Sequence, residues 1–186
     1  VGQRAVFIDR DGVLVVPEFR DGRSYAPRSL DDFRIYPGAA ESARRLKDAG
    51  YSLVLVTNQP DVGNGLVEKA TVEEMHRRLR NAVPLDAIEA CYHTNADNCD
   101  CRKPKPGMLL RAAERMNLDC SRSIMIGDRW SDVEAAKAAG CKSIFIDLNY
   151  RDRRPTEPDF VVSSFVEAAD VILGMPLTRS RPGENS

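Results

Sequence analysis

The chain has 186 residues, 42% apolar and 30% charged, with a formal net charge of −1. That length suits one well-filled domain and is short for two, and the near-neutral balance argues against a nucleic-acid binder held by general electrostatics and against a polybasic membrane anchor. No apolar run has the length of a membrane span and the N-terminus lacks a signal-like apolar stretch, so a soluble cytoplasmic protein is expected.

The chain opens on Val1 rather than Met, so a few residues or a tag are expected to precede it. The first element is a strand over residues 5–9, a short apolar run of the kind buried in parallel sheets. It delivers Asp9 and Asp11, which the strand period of two puts on one side, with Arg10 on the other. Gly12 then lets the backbone turn away. Carboxylates at the carboxyl edge of a parallel strand lie where open α/β sheets bind ligands, and here one can attack while the other moves a proton. Residues 15–36, rich in Pro, Gly, Arg and Asp, read as an irregular or hairpin excursion that helps shape a pocket.

A helix follows Pro37-Gly38, with Ala39, Ala43 and Leu46 at helical spacing and Gly50 just past its end. The strand over 52–57 runs into Thr57-Asn58-Gln59, whose hydroxyl and amide can donate to a phosphoryl oxygen. Thr71 and Glu74 form a capping box for the next helix, with Met75 and Leu79 inward and His76 on its surface. A third strand, 88–92, leads into the cysteine-rich segment. Five cysteines, an odd number with three between 91 and 101, fit a metal in a reducing compartment better than a disulfide framework. Cys91-x-His93-x5-Cys99-x-Cys101 supplies three thiols and an imidazole, enough for a closed, structural Zn²⁺ site in a loop that has no apolar residue large enough to order it. Cys120 and Cys141 read as ordinary, partly buried residues.

Arg102-Lys103-Pro-Lys105-Pro-Gly107 comes next, a stiff loop whose fixed cations beside carboxylates suit phosphate. It enters a helix at Pro106 that carries Leu109, Ala113 and Met116 on one face. The strand over 123–127 ends in Gly127-Asp128, with Asp132 four residues on; Ser131 and Glu134 offer a second capping box for a helix ending at Gly140. Strands at 143–147 and 159–162 and a helix at 164–173 complete the alternation. The pattern predicts an α/β fold, a parallel sheet with helices on both faces. A single domain is expected over 1–175, with a flexible tail over 176–186. Three converging carboxylates would repel one another without a cation, and an all-oxygen set suits Mg²⁺.

Asp9-x-Asp11-Gly12, then Thr57, then Lys103, then Gly127-Asp128-x-x-x-Asp132 resembles, in order and placement, the four-motif signature of the haloacid dehalogenase superfamily phosphatases. The resemblance implies a Rossmann-like fold and, since no stretch is long enough, no large cap domain. It implies Asp9 as a nucleophile forming an aspartyl-phosphate, Asp11 as general acid and then base, and Thr57 and Lys103 as holders of the phosphoryl oxygens. Mg²⁺ would sit among Asp9, the Asp11 backbone carbonyl and Asp128, with Asp132 either supporting it or favouring a helix N-terminus. The cysteine block followed by Arg102-Lys103-Pro is similar to the heptose bisphosphate and histidinol-phosphate phosphatases of that superfamily. In that group, Asn58, Gln59, Arg102 and Arg129 would lie at the substrate, and Tyr25 is a further expected contact. Residues 60–65 depart from the group's usual sequence, as does the short spacing from His93 to Cys99. The expectation is therefore a monomeric phosphatase of a small phosphorylated metabolite, a sugar bisphosphate, with no nucleic-acid or membrane partner. Histidinol phosphate is the alternative, for which Asp61 would be an acidic pocket wall, and a non-catalytic phosphate-binding protein is the rival of another class. A polynucleotide-end phosphatase fails for want of a basic aromatic groove.

Overall fold

The structure, a computed structural model, describes residues 2–174; the expected tail over 176–186 lies outside the described residues. In chain order the elements are β1 (Ala5–Ile8), a hairpin of β2 (Glu18–Arg20) and β3 (Arg23–Tyr25), α1 (Ala39–Asp48), β4 (Ser52–Asn58), α2 (Pro60–Gly63), α3 (Lys69–Ala82) and β5 (Ala87–Cys91). Then follow α4 (Gly107–Met116), β6 (Ile124–Gly127), α5 (Trp130–Ala139), β7 (Lys142–Ile146), β8 (Phe160–Val162) and α6 (Phe165–Ile172). Six strands form one sheet in the order β5-β4-β1-β6-β7-β8, and every pairing is parallel. The chain therefore builds outward from β1 on one side, returns, and builds outward on the other. That reversal opens a crevice at the carboxyl ends of β1 and its two neighbours, β4 and β6.

The apolar runs explain the layering. In β1, Val6 and Ile8 face one core with Leu46 of α1, Leu79 of α3 and Ala168 of α6. Phe7 faces the other, with Met108 and Leu109 of α4 and Ala135 of α5. A strand covered on both faces needs apolar residues at every position, which is what residues 5–8 and 53–56 provide. Among the described residues no helix is long and apolar enough to cross a membrane.

Several boundaries differ from expectation, each for a local reason. The 15–36 excursion contains the hairpin, turned at Asp21-Gly22 with φ of 52° and 77°, the positive-φ pair that two-residue hairpin turns require. Helix α3 starts at Lys69, before the expected capping box: Glu68 is the extended residue whose carbonyl accepts from Thr71 N at 3.0 Å, so Thr71 lies inside the first turn. In α5 the box is displaced by two residues, with Asp132 rather than Glu134 reaching back, to the Arg129 N–H at 3.0 Å. Residues 60–63, to which the sequence pattern assigned no element, form a short helix, α2. His76, expected at the surface of α3, is buried with Val72, Met75 and Leu79.

Candidate active site

The ends of β1, β4 and β6 and the loop before α4 enclose a cavity of about 470 Å³. Of the residues expected at a site, Asp9, Asp11, Asn58, Gln59, Arg102, Lys103, Asp128, Arg129 and Tyr25 all line it. Thr57 lies just behind, fully buried, with its Oγ1 accepting from Gln59 Nε2 at 2.9 Å.

Lys103 is the electrostatic centre. Its ammonium lies 3.0 Å from the Asp9 carboxylate and 2.6 Å from that of Asp132, and donates to the Val56 carbonyl at 2.8 Å. Burial by itself would strip the proton from this amine; the charges of Asp132 and Asp9 outweigh it and hold its pKa above that of ordinary lysine. Asp132 reaches Lys103 only because Gly127 has no side chain, since a Cβ there would collide with the Asp132 carboxylate. Gly12, at φ of 82°, leaves room in the same way for the Asp128 carboxylate and the Tyr150 hydroxyl.

The acidic groups outnumber the one ammonium. Asp9, Asp128 and Asp132 each bring an oxygen within 4.8 Å of the others. Both oxygens of Asp128 are buried, with the Tyr150 hydroxyl beside them but no well-aligned hydrogen bond among the described residues. Burial, then the charges of Asp9 and Asp132, push the Asp128 carboxyl well above the usual range, and burial lifts Asp132 to about 6. Buried carboxylate oxygens without a well-aligned hydrogen bond, beside two further carboxylates, fit a hard divalent cation such as Mg²⁺. The Asp11 carboxylate is not in this group, so any share Asp11 takes in a metal site is through its backbone carbonyl.

Asp11 is instead held from beneath. Arg10 Nε lies 3.1 Å from both its oxygens and Gln59 Nε2 donates to one at 2.8 Å. Burial raises the Asp11 pKa, opposed by the Arg10 charge. Arg10, expected on the opposite side of the strand from the acids, is fully buried yet curls back to meet one of them. Its signal was present in the sequence: a guanidinium at a strand end covered on both faces must find a carboxylate or pay heavily for burial.

Two side chains expected at the substrate are committed elsewhere. Asn58 donates to the Lys103 carbonyl and accepts from the Lys103 N–H, both at 3.1 Å, so its amide clamps the loop. Gln59 spends its donors on Asp11 and Thr57 and its acceptor on Arg10 at 3.0 Å. Arg102 donates to Asn95 at 2.7 Å and has a buried nitrogen without a partner among the described residues. Arg129 bonds Asp152 at 2.6 Å and both the carbonyl (2.8 Å) and hydroxyl (2.6 Å) of Ser24, tying the hairpin to the site wall. Asp61 is ion-paired with Arg28 at 2.7 Å. Trp130 and Ser24, not singled out from sequence, also line the cavity.

Beside the cavity, Cys91, His93, Cys99 and Cys101 converge, with Sγ–Sγ separations of 3.2–3.7 Å and His93 Nδ1 at 3.2 and 3.6 Å from two sulfurs. Zinc–sulfur bonds of about 2.3 Å in a tetrahedron place sulfurs roughly 3.8 Å apart, so the donor set fits Zn²⁺.

The sequence model of the haloacid dehalogenase-like hydrolase family matches residues 26–140, more than half of the chain. The chain belongs to the haloacid dehalogenase-like hydrolases. As a member it places Thr57, Lys103, Asp128 and Asp132 inside the matched span and supplies Asp9 and Asp11 from just before it. This hydrolase is 36% identical over 146 residues to the D-glycero-beta-D-manno-heptose-1,7-bisphosphate 7-phosphatase of Pseudomonas aeruginosa, covering 76% of this chain and 79% of that one. It is 34% identical over 190 residues to the protein of the same name in Pasteurella multocida, covering 93% and 98%. Among solved structures it resembles the D,D-heptose 1,7-bisphosphate phosphatase of B. bronchiseptica complexed with magnesium and phosphate, with a TM-score of 0.77, 29% identity and coverage of 92% and 98%.

Proposed function

We propose that this hydrolase is a Mg²⁺-dependent phosphomonoesterase that removes the 7-phosphate of D-glycero-D-manno-heptose 1,7-bisphosphate. The observation that carries the reading is one cavity in which Asp9, held beside Lys103, faces the same space as Asp11, Arg102 and Arg129. A nucleophile beside a proton carrier is what phosphoester hydrolysis needs and what a purely binding protein does not. The names of the Pseudomonas and Pasteurella relatives supply the sugar.

In this mechanism an Asp9 oxygen attacks phosphorus in line, forming the aspartyl-phosphate as the ester P–O bond breaks. Asp11 gives its proton to the departing sugar oxygen. It then takes a proton from the water that attacks the phosphoenzyme, so that Asp9 is regenerated and inorganic phosphate leaves. Thr57, whose oxygen already accepts from Gln59, keeps its own proton to donate to a phosphoryl oxygen. Lys103 offsets the charge spread over the others. Asp9, Asp128 and the Asp11 backbone carbonyl would hold Mg²⁺, whose positive charge would let a phosphoryl group approach these carboxylates. Arg102 and Arg129 would read the sugar and its second phosphate, with Tyr25 as a further wall. Asn58 and Gln59 act on the protein side of the pocket.

Zn²⁺ at Cys91, His93, Cys99 and Cys101 would be structural, fixing the loop that presents Arg102 and Lys103. Its thiols call for a reducing compartment, which supports a cytoplasmic location, and the reading needs no second subunit. Histidinol phosphate is the weaker substrate choice, because the acid meant to meet its cationic imidazole, Asp61, is already neutralised by Arg28. Phosphate release from heptose bisphosphate and histidinol phosphate, each with and without Mg²⁺, tests the proposal. A kcat/KM at least tenfold higher on the heptose, lost in chelator, is expected; preference for histidinol phosphate would overturn the substrate, and release from neither would overturn the activity.

A further inference from the structure

Beneath the cavity wall that Asp11 and Gln59 help to form lies a set of buried side chains that makes no hydrogen bond to the carboxylates of Asp9, Asp128 and Asp132. Arg10 is fully buried and Gln59 nearly so, at 1% exposure. The Arg10 guanidinium divides its donors: Nε to both oxygens of Asp11 at 3.1 Å, one terminal nitrogen to Gln59 Oε1 at 3.0 Å, and the other toward His76 Nε2 at 3.3 Å and the Met75 sulfur. Gln59 closes a ring by donating to Asp11 Oδ2 at 2.8 Å and to Thr57 Oγ1 at 2.9 Å. The Asp11 carboxylate is thus fixed at both oxygens by planar donors. The same amide that fixes it is bonded to Thr57, on the neighbouring strand.

We infer that Arg10 and Gln59 are positioning residues that lock the Asp11 carboxyl in the orientation for proton transfer and couple it to the phosphoryl-binding hydroxyl of Thr57. The inference rests on the reading of Asp11 as the proton carrier. Three features favour positioning over mere burial of a charge. An ion pair inside a protein adds little net stability compared with apolar residues of the same volume, so a fully buried Arg10 needs another reason. The guanidinium is planar and rigid, so the bonds of its terminal nitrogens to Gln59 and His76 fix the direction in which Nε meets Asp11, which a lysine's point charge would not impose. His76, the neutral partner on the far side, is kept unprotonated by burial, so it presents a lone pair to Arg10 rather than a competing charge. The side chains of the brace bond the group that moves the proton and not the Asp9 carboxylate, which is met by the Lys103 ammonium at 3.0 Å and by the Arg10 backbone N–H at 2.8 Å, a bond that a side-chain change at Arg10 keeps. Loss of the brace should therefore be felt in protonation of the leaving group and much less in attack on phosphorus.

That difference is measurable by changing the leaving group. An alkyl phosphate expels an alkoxide unless it is protonated, whereas p-nitrophenyl phosphate expels a stable phenolate with no such help. The value of kcat/KM reports steps up to formation of the phosphoenzyme, so it isolates the first proton transfer. Arg10→Lys keeps the charge and loses the planar guanidinium; Gln59→Met keeps the volume and loses all three side-chain hydrogen bonds. In both, the ratio of kcat/KM on p-nitrophenyl phosphate to that on heptose bisphosphate should rise at least about tenfold over wild type, as expected when general-acid catalysis is impaired. Gln59→Met carries the test if Arg10→Lys does not fold, which thermal melting and circular dichroism will show. An equal loss on both esters, or no change on either, would overturn the inference and leave the phosphatase reading intact. A wild-type enzyme inactive on every monoester would overturn that reading and this inference with it.

Discussion

At the scale of single residues, the site is a balance between carboxylates and one buried lysine. Lys103 bridges Asp9 and Asp132, so changing any of the three disturbs the others. Asp9→Asn preserves shape and removes the nucleophile; it should reduce phosphate release by more than about 1,000-fold while the melting temperature stays within a few degrees of wild type. Residual turnover near wild type would remove Asp9 from that role. His76 gives a separate, pH-dependent prediction. Burial and the Arg10 charge lower its pKa from 6.5 to about 3. Above pH 6.5 the ring is neutral in both folded and unfolded chains and contributes no pH dependence. Below it the unfolded chain takes up a proton that the folded chain refuses, so stability falls as pH drops through the window from 6.5 toward 3. The slope is about 1.4 kcal/mol per unit. Compared with His76→Gln, the wild type should lose about 2 kcal/mol more between pH 7 and pH 5 in urea unfolding. Parallel pH profiles would show that the ring is protonated in the fold.

At the scale of elements, the loop between β5 and α4 is the part least able to hold itself. Its residues 94–100 include no large apolar side chain, yet Arg102 and Lys103 must be presented by it. Removal of Zn²⁺ by a strong chelator, or Cys99→Ser, should lower the melting temperature and release close to one equivalent of zinc per chain; a chain that binds no zinc and melts unchanged would sink this reading. The loop was legible in the sequence because its ligands are close in the chain and chemically distinctive. The strands were legible for a different reason: residues 5–8 and 53–56 are apolar at every position, which only a sheet covered on both faces demands. Helix starts were less so. Two capping boxes were placed by residue type, but caps depend on which backbone becomes extended, and Glu68 and Arg129 do so rather than Thr71 and Ser131. His76 was recoverable, since it shares the spacing of Val72 and Leu79. The Arg10 brace was only half visible, because alternation assigns a face to Cα–Cβ and not to the end of a long side chain. Asn58 and Gln59 were identified as pocket residues; their inward hydrogen bonds depend on partners 45 and 48 residues away.

At the scale of the whole molecule, the proposed cation site joins Asp9, after β1, to Asp128 and Asp132, more than a hundred residues away at the end of β6 and the start of α5. In the unfolded chain these carboxylates are separate and solvated, so Mg²⁺ has affinity for the native state alone. Such binding stabilises by about 2.7 kcal/mol at a hundred times Kd, which for a chain of this size corresponds to a rise in Tm of roughly 5–10 °C. The same geometry means that the metal-free fold carries a cost, since Asp128 is buried beside two other acids with no well-aligned hydrogen bond to either oxygen among the described residues. Asp128→Asn removes that charge at nearly constant volume. In chelator it should therefore melt no lower than wild type, and higher if relief of repulsion outweighs the new amide's own desolvation. In saturating Mg²⁺ the order should reverse, because the variant loses the metal's contribution. A variant that melts well below wild type in chelator, or still gains the full increment from Mg²⁺, would show that Asp128 is a structural acid and that the cation is held by other groups.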